Sequence, residues 1–282
     1  MPKIAAIQMC SSDNVDENLF HAGLLIEEAA ANGAKLIALP EMFAIMGQNP
    51  EDKIRVMEKY GAGKIQRFLS EQAKKFKVWI LGGTIPIECD DKDKIRAACI
   101  MYDQNGLAVA RYDKIHLFDV VISETESYKE SDTTQAGTEV VVIDTPVGRL
   151  GLSVCYDIRF PGLYTELLNQ GAEIIAIPAA FTVKTGEAHW KILAQSRAVE
   201  NFCYVLGAAQ GGLHSSGRKT YGHALIVEPW GTVVQETGGI GNSIVYAEVD
   251  LKKLHAIRAS IPVKHHQRIN PDLSRLNSNN QL

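Results

Sequence analysis

The sequence predicts an α/β fold in which two mixed β-sheets pack face to face and helices cover each outer side, a four-layer αββα sandwich. Two observations predict it. Apolar strand-like runs alternate with helical runs through both halves of the 282-residue chain. The halves also repeat: Gly33-Ala34-Lys35-Leu36-Ile37-Ala38-Leu39-Pro40-Glu41-Met42-Phe43 matches Gly171-Ala172-Glu173-Ile174-Ile175-Ala176-Ile177-Pro178-Ala179-Ala180-Phe181, so G-A-x-x-I-A-x-P-x-x-F occurs twice. Each half would make one sheet with helices on a single face, leaving its other apolar face for its twin to cover.

In order, Lys3 to Met9 reads as an apolar strand, and Val15 to Asn32 as a helix with Asn14 as N-cap and Gly33 as the stop. Ala34 to Leu39 is a strand, Lys64 to Lys77 a helix and Val78 to Leu81 a buried strand. Ile95 to Tyr102 and Leu107 to Tyr112 form a hairpin around Asp103-Gln104-Asn105-Gly106. The second half repeats the order with strand Leu150 to Val154, helix Leu163 to Gln170, strand Glu173 to Ile177, helix Glu187 to Asn201 and strand Tyr204 to Ala208. Strands around His223 to Val227, Thr232 to Gln235 and Ile244 to Val249 complete it. Residues 1–268 are expected to form one domain with an internal pseudo-repeat, and 269–282, rich in Ser, Asn and Gln, a flexible tail.

Hydrophobic residues make up 46% of the chain and charged ones 22%, enough to bury a large core. A net charge of -4 gives no basic excess, which argues against nucleic acid or an anionic membrane and for small molecules as partners. The N-terminus turns polar too early for a signal segment, and no run reaches membrane-spanning length, so the cytoplasm is expected. Five cysteines without a C-x-x-C are expected to be free thiols. No histidine pair has helical H-x-x-x-H or H-E-x-x-H spacing, so no metal is expected, and phosphate-loop motifs are absent.

Three residues stand out by position. Cys155 follows the strand Gly151-Leu152-Ser153-Val154 and precedes Pro161, the first-turn proline of the next helix. It therefore sits at a strand-to-helix elbow, where backbone N–H groups can favour a thiolate and bind an oxyanion. Cys99 and Cys203 are expected inside apolar strands. Glu41 directly follows a buried strand end, where desolvation would make it a better proton acceptor. The second repeat has Ala179 there. Lys114 ends the hairpin strand of the first half and alone is weak evidence.

Together, Leu39-Pro40-Glu41-Met42-Phe43, Tyr112-Asp113-Lys114-Ile115-His116-Leu117-Phe118 and Gly151-Leu152-Ser153-Val154-Cys155-Tyr156-Asp157-Ile158-Arg159-Phe160-Pro161 resemble the three signature motifs of the nitrilase superfamily. The likeness runs from Lys3 to about Gln267. It implies the αββα sandwich, a homodimer or higher oligomer, no cofactor, and hydrolysis of a linear amide by a Glu41-Lys114-Cys155 triad. It further implies that Glu130 supports the triad. Glu41 would take the thiol proton, and Lys114 with the Tyr156 N–H would hold the oxyanion. Asp113 and Gly162 depart from the usual Arg and Glu of close relatives, away from the triad. Ala208-Ala209-Gln210-x-Gly212-x-His214 with Thr220-Tyr221-Gly222-His223 is more similar to the deaminated-glutathione amidase branch than to the omega-amidase branch. Phe181 and Thr185 are candidates to shape the acyl pocket. The residues leave open a hydrolase, an acyltransferase that resolves the thioester with another acceptor, and an inactive binding protein on the same fold.

Overall fold

Alternation along the first strand sets the layering. In the computed structural model, which describes residues 1–124 and 126–268, Ile4 and Ala6 of β1 (Lys3–Met9) enter one apolar cluster. Ala5, Ile7 and Met9 enter another, as a strand covered on both faces requires. The Asn14 side chain accepts the N–H groups of Asp16 and Glu17 and starts α1 (Val15–Ala31), the N-cap expected from sequence. β2 (Ala34–Ala38) repeats the alternation: Leu36 and Ala38 face the first cluster, Ile37 the second.

A short α2 (Asp52–Arg55) precedes α3 (Lys64–Phe76), which stops at a left-handed Lys77. Then come β3 (Trp79–Leu81), β4 (Ile85–Glu88), β5 (Ile95–Tyr102) and β6 (Ala108–Asp113). A two-stranded ribbon, β7 (Asp119–Ser123) and β8 (Glu126–Lys129), stands outside both main sheets. The second half runs β9 (Val142–Thr145), β10 (Gly148–Leu152), α4 (Pro161–Asn169), β11 (Ile174–Ala176) and α5 (Val183–Thr185). A π-helical turn over Gly186–Trp190 joins α5 to α6 (Lys191–Asn201). After these come β12 (Tyr204–Gly207), β13 (Ala209–Leu213), β14 (Lys219–Tyr221), β15 (Leu225–Val227), β16 (Val233–Glu236), β17 (Ser243–Glu248), α7 (Leu251–Ser260) and α8 (Val263–His266).

The larger sheet has the order β14-β13-β1-β2-β3-β5-β4, with β17 also paired to β1 and β6 to β5. The smaller has the order β16-β15-β12-β11-β10-β9, and both mix parallel and antiparallel pairs. α1 and α3 pack on the larger sheet through Leu19, Ile26, Ile65 and Leu69, and α4 and α6 join the other cluster through Leu163, Leu167, Ala194 and Ala198. The predicted αββα layering is the observed one. No helix among the described residues is long and apolar enough to cross a membrane.

Some elements escaped the sequence reading. β7 is short and half-exposed, and β8 is polar and half-exposed. β13, Ala-Gln-Gly-Gly-Leu, has little strand propensity but extends β1 in parallel at Gln8↔Ala209. Cys203, expected within a strand, lies buried in the connection before β12. The expected 269–282 tail lies outside the described residues.

Candidate active site

Leu39-Pro40 follows β2, and the chain then turns so that Glu41 is buried and Met42 is left-handed, at φ 58°. The turn is held by the Met42 N–H, which donates to Thr84 Oγ1 (2.8 Å). Gly83 lies directly beneath it, where a Cβ would come 2.0 Å from the Pro40 carbonyl oxygen. Only glycine permits that approach.

β6 delivers Lys114, which is 2% exposed. Its Nζ donates to Glu41 Oε1 at 2.8 Å and to Glu130 Oε2 and Oε1 at 2.8 and 3.1 Å. Glu130 follows β8 and is fixed by the Phe118 N–H, which donates to its Oε2 at 2.7 Å. Burial opposes the charges of both Lys114 and Glu130, but their mutual attraction wins. The lysine is raised well above its ordinary value by Glu130 and Glu41, and the glutamate is lowered by Lys114 and Lys53.

Past β10, Cys155 adopts φ 47° at the start of a 3₁₀ turn, Cys155–Arg159. A left-handed backbone at a non-glycine residue stores about 1–3 kcal/mol and persists only where surrounding contacts dictate it. Here the Cys155 N–H donates to Pro178 O (2.8 Å), and the fully buried Asp157 carboxylate accepts the Val154 N–H (2.8 Å). That carboxylate also takes the Tyr112 hydroxyl (2.6 Å) and the His116 N–H (3.0 Å). Tyr112 and His116 flank Lys114 by two residues on either side, so one buried Asp ties the lysine segment to the cysteine segment.

The Cys155 thiol faces the same cavity as Glu41 and Lys114 and feels both. Burial pushes it well above its ordinary value and Glu41 adds to the rise, while Lys114 and the Ala180 N–H pull the other way. The elbow therefore holds a neutral thiol beside a carboxylate, not the thiolate its backbone N–H groups alone would favour. Such a pair calls for proton transfer as the sulfur attacks.

These groups open into a cavity of about 860 Å³, within the range of small-molecule sites. Tyr156 and Phe181 line it, as do Phe118, Tyr128 and Met42. Phe181 packs on Trp190 (5.2 Å between centroids), and Tyr156 packs edge-on to Phe118 and Phe160. Thr185 is placed differently: its hydroxyl lies 2.9 Å from that of Thr182, the N-cap of α5, and it is not among the side chains lining the cavity. The neighbouring Val183 and Lys184 are. Among the cavity-lining cations that the sequence reading missed are Lys53 and Arg218, the latter lying inside the segment compared with the amidase branches. Among the described residues no group of three or more His, Cys, Asp or Glu side chains could hold a metal ion.

An αββα sandwich that buries a cysteine against a Glu-Lys-Glu cluster at its strand ends defines a hydrolase of the nitrilase fold. The chain belongs to the carbon-nitrogen hydrolase family, whose model matches residues 3–259. It is 42% identical over 267 residues to the deaminated glutathione amidase of Yersinia enterocolitica, covering 94% of this chain and 92% of that protein. It is similar in structure to the C. elegans NitFhit protein, with a TM-score of 0.88 and 36% identity over 95% of this chain and 65% of that one. It is also similar to Saccharomyces cerevisiae Nit3, described as a member of branch 10 of the nitrilase superfamily. There the TM-score is 0.84 and the identity 33%, over 95% of this chain and 97% of the yeast one.

Proposed function

We propose that the protein is a deaminated glutathione amidase, hydrolysing the linear amide between a 2-oxo acid and a Cys-Gly leaving group through a thioester on Cys155. The observation that carries this is the convergence of the Cys155 thiol, Glu41 and Lys114 at the floor of one cavity. Glu41 takes the thiol proton as Cys155 Sγ bonds to the amide carbon, and the carbonyl electrons move to oxygen. Lys114 has three N–H donors. One serves Glu41, a second is shared by the two Glu130 oxygens, and the third, with the Tyr156 N–H, holds the oxyanion. Collapse breaks the C–N bond and the amine leaves with the proton from Glu41. Water then gives a proton to Glu41 and attacks the thioester, and the C–S bond breaks as the thiol takes its proton back. Glu130 keeps Lys114 in place, and Phe181 and Tyr156 shape the acyl side of the cavity.

Two facts support this substrate over a small 2-oxo monoamide: a cavity of about 860 Å³ exceeds what a five-carbon acid needs, and the curated relatives bear the matching name. We further read residues 1–268 as one catalytic domain that works as a homodimer or higher homo-oligomer in the cytoplasm, where its five free cysteines stay reduced. Side-by-side kinetics test the assignment. Deaminated glutathione should show a higher kcat/KM than 2-oxoglutaramate or 2-oxosuccinamate, with free acid as product. A reversed ratio would make the protein an omega-amidase, and transfer of the acyl group to an added amine or thiol in preference to water would make it an acyltransferase.

A further inference from the structure

The charges lining the cavity do not balance locally. Glu41 and Glu130 are both engaged by Lys114. Arg218 and Lys53 form no ion pair among the described residues, although both line the same cavity and both are half-buried. Arg218 is nevertheless held in place. Its Nη2 donates to Ala180 O at 3.1 Å, its Nη1 lies 4.0 and 3.9 Å from the sulfurs of Met42 and Met46, and its guanidinium sits 5.1 Å from the Tyr128 ring centroid. Its Nε is buried and has no hydrogen-bond partner among the described residues. Across the cavity Lys53 Nζ donates to Thr134 Oγ1 at 2.7 Å, and the adjacent Thr133 Oγ1 is likewise buried without a partner.

A buried donor without a partner, and a partly desolvated cation whose nearby carboxylates are already held by Lys114, are both costly unless a ligand completes them. A planar guanidinium whose Nε lacks a partner suits a carboxylate, which it can bind through two parallel N–H···O bonds. The location is informative too. Ala180 lies between the two groups, its carbonyl accepting from Arg218 and its N–H acting on the Cys155 thiol to favour the thiolate. Arg218 and the nucleophile thus meet the same residue of the cavity wall, so a short dicarboxylic acyl group held at one end by the guanidinium can present its other end to Cys155.

We propose that Arg218, reinforced by the positive charge of Lys53, is the specificity-determining residue that anchors the free carboxylate of the acyl half of the substrate. This rests on the amidase reading above and deepens it: the enzyme selects amides of dicarboxylic 2-oxo acids because the remote carboxylate completes the donors of Arg218. Once held there, the acyl chain has its amide carbon delivered to Cys155, and binding energy from a non-reacting group serves orientation.

The test compares deaminated glutathione with N-(4-oxopentanoyl)-Cys-Gly, in which a methyl group replaces the acyl carboxylate and the leaving group is unchanged. The wild type should prefer the first by on the order of 100-fold in kcat/KM. In Arg218→Gln that preference should collapse by about tenfold or more, with Arg218→Lys between and Lys53→Met showing a smaller loss. Because the ratio is taken within each variant, a general loss of activity leaves it readable. Competitive inhibition by 2-oxoglutarate gives a second reading and should weaken about tenfold in Arg218→Gln. An unchanged preference and unchanged inhibition in Arg218→Gln would make Arg218 a strut between Ala180 and Tyr128 and overturn the proposal. A wild-type enzyme that hydrolyses neither amide would instead overturn the amidase reading, and the anchor with it.

Discussion

The two copies of the G-A-x-x-I-A-x-P segment end their strands in the same way and do different chemistry. After β2 the chain runs Pro40-Glu41-Met42, and the Glu41 side chain meets Lys114 and Cys155. After β11 it runs Pro178-Ala179-Ala180, and the backbone acts instead: Pro178 O accepts the Cys155 N–H, the Ala180 N–H favours the thiolate and Ala180 O holds Arg218. The repeat supplies the scaffold twice, and the site depends on the difference between Glu41 in one copy and Ala179 in the other. A carboxylate at both ends would put two like charges beside one thiol; an alanine at both would leave the thiol without a base.

The largest effects should come from removing the asymmetric side chains. Cys155→Ala should lower kcat by roughly 10⁵- to 10⁶-fold, as loss of a nucleophile does elsewhere, while thermal unfolding stays cooperative. Glu41→Gln should be nearly as inactive, because an amide cannot accept the thiol proton, and intact-protein mass spectrometry should find no acyl adduct on Cys155. A stoichiometric adduct from an amide substrate in Glu41→Gln would transfer the acylating-base role to Glu130. Lys114→Ala should cost about 3 kcal/mol in barrier, or on the order of 100-fold in rate, by loss of an oxyanion donor, and should form the adduct slowly.

A subtler break leaves every reacting group in place. Gly83→Ala puts a Cβ against the Pro40 carbonyl, at a residue with φ 53°, and neither backbone can give way freely. The expected result is a destabilisation of about 1–3 kcal/mol together with a loss in kcat of about 100-fold from displacement of Glu41. The comparison of strand ends makes this specific: iodoacetamide should alkylate Cys155 about as slowly as in Glu41→Gln, because the base has moved while the second strand end that seats the cysteine is untouched. Alkylation much slower than in Glu41→Gln would mean the two ends move as one unit.

How far this was legible in the sequence follows the same division. Glu41 and Cys155 stood out because an ionisable or nucleophilic side chain at a buried strand end conflicts with local expectation, and the repeat exposed the Glu41/Ala179 difference directly. Lys114 gained meaning only from the family motifs, since a lysine after a strand is usually solvated. Nothing local marks Arg218 or Lys53, because lacking a counterion is a property of the assembled cavity. Asp157 was quoted within a motif, yet its function of tying Tyr112 and His116 to Val154 depends on two segments about 40 residues apart in sequence. The fold was legible where strands are apolar and opaque where pairing overrides composition, as in β13 and the β7–β8 ribbon.

The smallest expected effect concerns where acid lability resides. Pro178-Ala179-Ala180 carries no ionisable side chain, whereas the first strand end leans on the Lys114–Glu130 pair, so the pH dependence contributed by the two ends should come from the first. Glu130 is lowered in the folded state, burial being outweighed by Lys114 and Lys53. Its contribution to stability is therefore fully present above the unfolded glutamate value of about 4.3 and is lost as pH falls through the lower folded value. Lys114, raised in the folded state, contributes fully below its unfolded value of about 10.4 and loses that contribution only at more alkaline pH. Glu130→Gln removes the acidic limb: near neutral pH the variant should be less stable by about 1–3 kcal/mol, Lys114 keeping Glu41 as a partner. Measured by thermal unfolding, the gap between wild type and variant should hold from about pH 6 to pH 5 and narrow steadily toward pH 3. A gap of constant width down to pH 3 would mean that Glu130 is not a carboxylate made acidic by its lysine, and that the acid sensitivity lies elsewhere in the molecule.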